Sequence, residues 1–108
     1  MEENYSLLIA TINRGYSDQV MEVAKKAGAI GGTVIHARRI GPEEPLKKWG
    51  IDVQEEREML YLLVQKEKKI SIMQAISQEC GFQTEIQGVV VSVPVDEVSG
   101  PERQGFQL

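Results

Sequence analysis

The chemistry of this sequence is concentrated between Gly28 and Gly41. The run Gly28-Ala29-Ile30-Gly31-Gly32-Thr33-Val34-Ile35-His36-Ala37-Arg38-Arg39-Ile40-Gly41 places three glycines within five residues, then a β-type stretch, then two arginines. A backbone without side chains lets another group come close. That group is either a ligand or a neighbouring strand, and the residues alone leave both readings open. The glycines precede a strand and do not open a helix, so they are not the pyrophosphate fingerprint. Arg38 and Arg39 bring anion chemistry, since a guanidinium is the natural partner of phosphate or carboxylate. Neighbouring strand residues point to opposite faces, so only one of the two can face a given cleft. The bland alternative for both is a solvated or intersubunit ion pair. Arg14 and Arg103 are weaker candidates of the same kind.

Other reactive side chains are sparse. His36 and Cys80 are the only histidine and the only cysteine. A metal site needs several convergent ligands, so this pair is a poor start and no metal residue is assigned. A satisfied strand histidine is the simpler reading of His36. A small semi-buried residue is the simpler reading of Cys80, with a reactive thiol as the alternative. Trp49 stands in a Pro- and Gly-containing stretch near Leu46 and Ile51. It is either a partner anchor or a lid folded back over the sheet edge. No Ser-His-Asp or Cys-His arrangement and no close carboxylate pair has sequence context, so no catalytic residue is assigned and no enzyme is expected.

Composition bounds the partners. The chain has 108 residues, enough for one domain and one core, with 42% hydrophobic and 26% charged residues. A net charge of -4 argues against nucleic-acid binding, which needs a basic face. No apolar run approaches the roughly 18 residues that span a membrane. Met1-Glu2-Glu3-Asn4 lacks the charged-then-apolar pattern of a signal peptide, and a cytoplasmic location is the expectation.

These residues must be positioned by alternating strands and helices. Tyr5 to Ile12 reads as a strand that is apolar on both faces, with Leu7, Ile9 and Thr11 on one and Leu8, Ala10 and Ile12 on the other. Asn13-Arg14-Gly15 reads as a turn. The spacing of Val20, Val23, Ala24 and Ala27 predicts a helix over 17–27, capped by Ser17 or Asp18 and stopped at Gly28. Thr33 to Ile40 is the second strand. Gly41 to Gln54, with Pro42, Pro45 and Gly50, reads as a loop. Glu58 to Val64 is a strand covered on both faces. Glu55, Glu56 and Glu58 read as a solvated ramp into it, and Lys66 to Lys69 as a solvated junction. Ile70 to Cys80 is the second helix, with Ile72, Met73, Ile76 and Ser77 inward and Gly81 repeating the stop at Gly28. Thr84 to Val93 is the last strand, limited by Pro94.

The order is therefore β-α-β-β-α-β. This is the α+β, ferredoxin-like arrangement, an antiparallel sheet with both helices on one face. Residues 1–98 form the single domain, and 99–108 form a C-terminal tail. Two helices cover only one face of such a sheet. The first and third strands are apolar on both, and soluble monomers rarely expose a patch of that size. An oligomer with sheets packed against one another follows, with binding clefts between subunits.

Three motifs now combine. They are the Gly28-x-x-Gly31-Gly32-Thr33-Val34 junction, the long 41–54 loop, and Gly88 followed by Val89-Val90-Val91-Ser92-Val93-Pro94-Val95-Asp96-Glu97-Val98. In this order the chain resembles the PII-like nitrogen-regulatory signalling proteins over nearly its whole length. The resemblance implies a homotrimer, a sensor and not an enzyme. It implies no required cofactor, with ATP, ADP or AMP as possible effectors, often beside 2-oxoglutarate, in clefts between subunits. Gly31, Gly32 and Thr33 would line the adenine end, Gly41 would stand at the base of the T-loop, and Gly88 near the phosphates. The 41–54 loop would engage a regulated enzyme or transporter, with Trp49 as a contact. Val89 stands where the family has a phosphate-binding lysine, Gly100 and Glu102 where it has basic residues, and Glu43 where it has a glutamine. An anion would then depend on Arg38, Arg39 or backbone amides. The second reading is a trimer of the same architecture that handles metal ions, like the CutA divalent-cation-tolerance group. The third is a structural oligomerisation module with empty clefts.

Overall fold

The computed structural model describes residues 4–41, 49–50 and 55–100. Strand β1 spans Tyr5–Asn13, helix α1 Ser17–Lys26, β2 Thr33–Arg38 and β3 Glu56–Gln65. A 3-10 turn, Lys66–Lys68, leads into helix α2, Lys69–Cys80, and β4 spans Val89–Pro94. The expected loop over 41–54 lies outside the described residues except at Gly41, Trp49 and Gly50, as does the tail beyond Gly100.

The sheet has the order β2-β3-β1-β4, with every neighbouring pair antiparallel. This is the expected ferredoxin-like topology. Alternation along the two central strands sorts their side chains. Leu8, Ala10 and Ile12 of β1 join Leu60, Leu62 and Val64 of β3 in one core with Val20 and Ala24 of α1 and Ile72, Ile76 and Cys80 of α2. The α2 residues recur every fourth position, so one helical stripe carries its whole buried face. Ser77, expected inward, is exposed, because Cys80 continues that stripe in its place.

The opposite face is apolar and has no described element over it. Register sets Leu7 between Leu63 and Val93, Ile9 between Tyr61 and Val91, and Thr11 between Met59 and Val89. Ile35 stands opposite Met59 at the β2 side. Ile35, Val89, Val91 and Val93 are 41%, 47%, 48% and 37% exposed. Covering what remains exposed of one such side chain is worth roughly 1 kcal/mol, and summed over the face this is a drive to bury it.

The ends of the elements depart from expectation in three places. Tyr16, not Ser17 or Asp18, is the N-cap of α1, and it makes no side-chain cap bond. The α1 stop at Gly28 holds: Gly28 N donates to Lys25 O at 3.1 Å and Ala29 N to Ala24 O at 3.0 Å, with Gly28 at φ 126°. That is the Schellman pattern, which favours glycine. Gly81 does not repeat it, since its φ of -74° is open to any residue. What needs glycine there is the close approach of Ser77 O to the place a Cβ would occupy. The last strand begins at Val89 and not at Thr84, because 84–87 is consumed by turns. Thr84 N donates to Gly81 O at 3.0 Å and Gln87 N to Thr84 O at 3.1 Å.

Gly32 resolves half of the opening question. A Cβ on it would lie 2.5 Å from Leu62 Cδ2 and 2.8 Å from Tyr61 O. The group it admits is the neighbouring strand. Gly32→Ala is therefore expected to lower stability by about 1–3 kcal/mol, measured by urea unfolding, through overpacking against β3.

Candidate functional site

The polar side chains gather at the end of the sheet where β2 stops and β3 starts. Asn13 closes β1 there, in phase with Leu7, Ile9 and Thr11 on the open face. Arg57 is in phase with Met59 and Tyr61 on the same face. Arg39 follows β2 two residues beyond Ala37, the partner of Arg57, and its N–H donates to Glu55 O at 2.6 Å. The two arginines are thus diagonal neighbours on one face.

Arg57 is buried, with only 6% exposure. Its Nη1 donates to Asn13 Oδ1 at 2.6 Å, and its Nη2 to Gln87 O at 2.9 Å and Thr11 O at 3.2 Å. Each acceptor is neutral. Burial, and then the charge of Arg39, pull its pKa below the ordinary arginine value. The guanidinium nevertheless stays a cation at neutral pH. Arg39 adds a second cation, and its buried Nε has no hydrogen-bond partner among the described residues. A buried charge is normally paired. Here a buried guanidinium and a half-buried arginine lie together with no carboxylate in an ion pair to either among the described residues.

Asn13 ties this corner to the turn before β4. Its N–H donates to Ile86 O at 2.9 Å and its Nδ2 to Glu85 O at 2.9 Å. Tyr16 Oη donates to Glu85 Oε1 at 3.0 Å. That bond and the Glu85 charge hold the phenol pKa above its ordinary value.

The remaining candidates are spread out. Arg38 lies on the helix-side face of the β2 edge, exposed and opposite Glu56, which pairs instead with Arg14. His36 stands opposite Glu58, with Nδ1 3.6 Å from Oε2, and Gly15 N donates to the other oxygen at 3.3 Å. His36 is a strand histidine with a carboxylate beside it. Glu58 is 6% exposed and so is not the solvated ramp expected of it. Thr33 begins β2 at its far end, about 20 Å from Arg39 at roughly 3.3 Å per residue, and Gly31 stands two residues before it.

Gly88 is held against Cys80 O, both through its N–H at 2.8 Å and through the space a side chain would need. Its glycine is required by packing. Val89 opens β4 on the open face, 47% exposed. Gly41 has open space around it, and Trp49 is 81% exposed. Cys80 is fully buried, and burial followed by the Glu79 charge raises its thiol pKa, which favours the packing reading. No group of three His, Cys, Asp or Glu among the described residues is placed to hold a metal ion. No helix among them is long and apolar enough to cross a membrane.

Arg39 and the glycine–threonine junction lie along the β2 edge, while Gly88 and Val89 lie at the β4 edge, with β3 and β1 between. At about 4.8 Å per strand the edges are roughly 14 Å apart, so one protomer does not gather them. Sequence reasoning also missed Arg57, Asn13 and Gln87. The signal for the first two was their phase: each is a polar residue continuing an apolar alternation.

No family model matches the chain, and no curated protein matches it. Solved structures do. The fold belongs to the ferredoxin-like α+β class, and within it to the variant found in PII and PII-like signalling proteins. Arabidopsis thaliana PII, in a structure with citrate bound, superposes with a TM-score of 0.66 at 20% identity, over 97% of this chain and 86% of that one. A putative PII-like signalling protein of Thermus thermophilus gives 0.60 at 22% identity, over 84% and 87%. A functionally unknown protein of Pediococcus pentosaceus gives 0.65 at 13% identity, over 92% and 99%.

Proposed function

We propose that this protein is a PII-like regulatory protein that assembles as a homotrimer and holds a small anionic effector between protomers. The β2 edge of one copy, with Arg39, would face the β4 edge of the next, with Gly88 and Val89. The open apolar face supplies the drive for assembly. The observation that carries the effector reading is the Arg39–Arg57 pair, two adjacent guanidiniums with no carboxylate partner among the described residues. Like charges held together at a partly buried site favour an anion, and a guanidinium takes phosphate or carboxylate in bidentate fashion.

The pair takes over the anion chemistry that a lysine in place of Val89 would supply. An adenine nucleotide fits through its phosphates. A carboxylate fits equally, and the Arabidopsis PII structure holds citrate. The role is signalling and not catalysis. Effector binding would shift the 41–54 loop, with Trp49 as a contact, toward or away from a protein partner. A ligand does so only through unequal affinity for the two states. Nitrogen regulation is the pathway, and the cytoplasm the location, that go with this reading; the likeness to PII supports both.

Calorimetric titration with ATP, ADP, AMP, citrate and inorganic phosphate tests this. At least one anion is expected to bind saturably, and Arg39→Ala to weaken it by on the order of tenfold or more, the loss of one charge-assisted hydrogen bond. Equal affinity in both proteins, or no binding at millimolar concentration, contradicts the reading.

A further inference from the structure

The turn before β4 contains a strained residue at a telling place. Gln87 has φ 52° and is the one non-glycine residue with positive φ among the described residues. An L-residue stays in that region only when its surroundings hold it. Its carbonyl is held by Arg57 Nη2 at 2.9 Å. The residues beside it are held by other groups, Glu85 and Ile86 by Asn13, which is itself bonded to Arg57, and Gly88 by Cys80 O. Gln87 N–H also donates to Thr84 O at 3.1 Å, so Arg57 is one of the groups that hold the strained residue, and it is the one that an anion at the arginine pair would address.

We propose that an anion bound by Arg39 and Arg57 loosens the 84–88 turn, so that occupancy is reported at the β4 edge through Gln87. This rests on the reading of the pair as an anion site. A guanidinium forms stronger bonds to an anion than to a neutral carbonyl. Its fork is rigid and planar. Turned toward an anion, it cannot stay aligned on Asn13 Oδ1, Thr11 O and Gln87 O together. Gln87 then loses its guanidinium donor, and its backbone relaxes toward an unstrained conformation. Asn13 is the positioning residue, because it holds Arg57 through Oδ1 and the turn through Nδ2. Val89 follows directly, exposed on the face that a second copy would cover.

Amide hydrogen exchange over residues 84–90 of the full-length protein tests the coupling, with inorganic phosphate or citrate as separate probes and calorimetry on the same samples. A saturating probe is expected to speed exchange at Gln87 and Gly88 by on the order of tenfold, the weight of one charge-assisted bond. Gln87→Gly keeps the carbonyl but removes the strain. It should still bind the probe in the calorimeter, with an affinity shifted by no more than the coupling itself, and lose most of the response. Asn13→Ala should exchange fast at these amides without any probe. A bound probe that leaves exchange at Gln87 and Gly88 unchanged overturns the coupling and leaves the anion site standing. A full response in Gln87→Gly overturns it too, since strain then plays no part. Binding of neither probe removes the anion site and the coupling together.

Discussion

Replacing Ile9 with aspartate is expected to leave the fold intact and to reduce the proposed trimer to a monomer in solution. Ile9 lies at the centre of the open face, between Tyr61 of β3 and Val91 of β4. It is not part of the helix-side core, where Leu8, Ala10 and Ile12 sit at zero exposure. A carboxylate there stays solvated in a monomer. In an assembly it would lose water without gaining a partner, a penalty of several kcal/mol repeated in every copy. Light scattering across a dilution series gives the mass, and circular dichroism confirms the fold. An unaltered protein that is monomeric at every concentration, or an Ile9→Asp protein that still assembles, would show that the face is not the interface. The same substitution at Leu8 should unfold the chain, which separates interface from core.

Arg57→Gln is expected to cost about 2–4 kcal/mol of stability in urea unfolding, because three oxygens, one buried and two partly buried, lose a charged donor at once. Two opposing effects bear on the sign. Removing Arg57 relieves its repulsion with Arg39 and the penalty of burying a cation. It also leaves Asn13 Oδ1, Thr11 O and Gln87 O short of a donor where water reaches them poorly. The second effect is larger, since those groups lie in two segments, β1 and the turn before β4, that Arg57 joins. Arg39→Met isolates the first effect. Its Nε has no bond to lose among the described residues, so the ligand-free protein should become more stable by about 0.5–1 kcal/mol. A stabilised protein with a weakened anion site is the trade expected where like charges are held together for binding. Loss of stability in Arg39→Met would mean that the arginine has a structural partner instead.

Most of the fold was legible because its signals are periodic. Residues 7 to 12 and 59 to 64 are apolar at nearly every phase. That pattern revealed two central strands and a sheet face that helices could not cover. Gly28 gave the α1 stop, because only a positive φ completes the bonds to Ala24 and Lys25. Gly81 looked the same in sequence, but its glycine serves the close approach of Ser77 O, which no local pattern encodes. The start of β4 was misplaced for a related reason. Thr84 and Ile86 have strand-like side chains, yet Thr84 turns its hydroxyl to Gly81 O at 2.7 Å and accepts Ile86 N at 3.2 Å, closing a turn.

The site was less legible, because its pairings are long-range. Arg38 and Arg39 were both visible, but the open face selects Arg39 only through its pairing beyond Arg57. Arg57 itself lies among Glu55, Glu56 and Glu58, in a stretch that reads as solvent-facing charge. Its partners are 44 and 30 residues away, at Asn13 and Gln87. Of the two readings the glycine junction left open, close packing is visible at Gly32, against Leu62, and the same holds for Gly88 at the other edge, against Cys80 O. A ligand is not needed to explain either.

The most direct test of an effector held between copies is a calorimetric titration of ATP and of citrate into the unaltered protein and into the Ile9→Asp monomer, side by side. If the site needs the β2 edge of one protomer and the β4 edge of the next, the unaltered protein binds one effector per chain. The monomer then binds it at least about a hundredfold more weakly, the weight of two charge-assisted bonds. Equal affinity in the monomer would place the whole site within one chain and contradict the shared cleft.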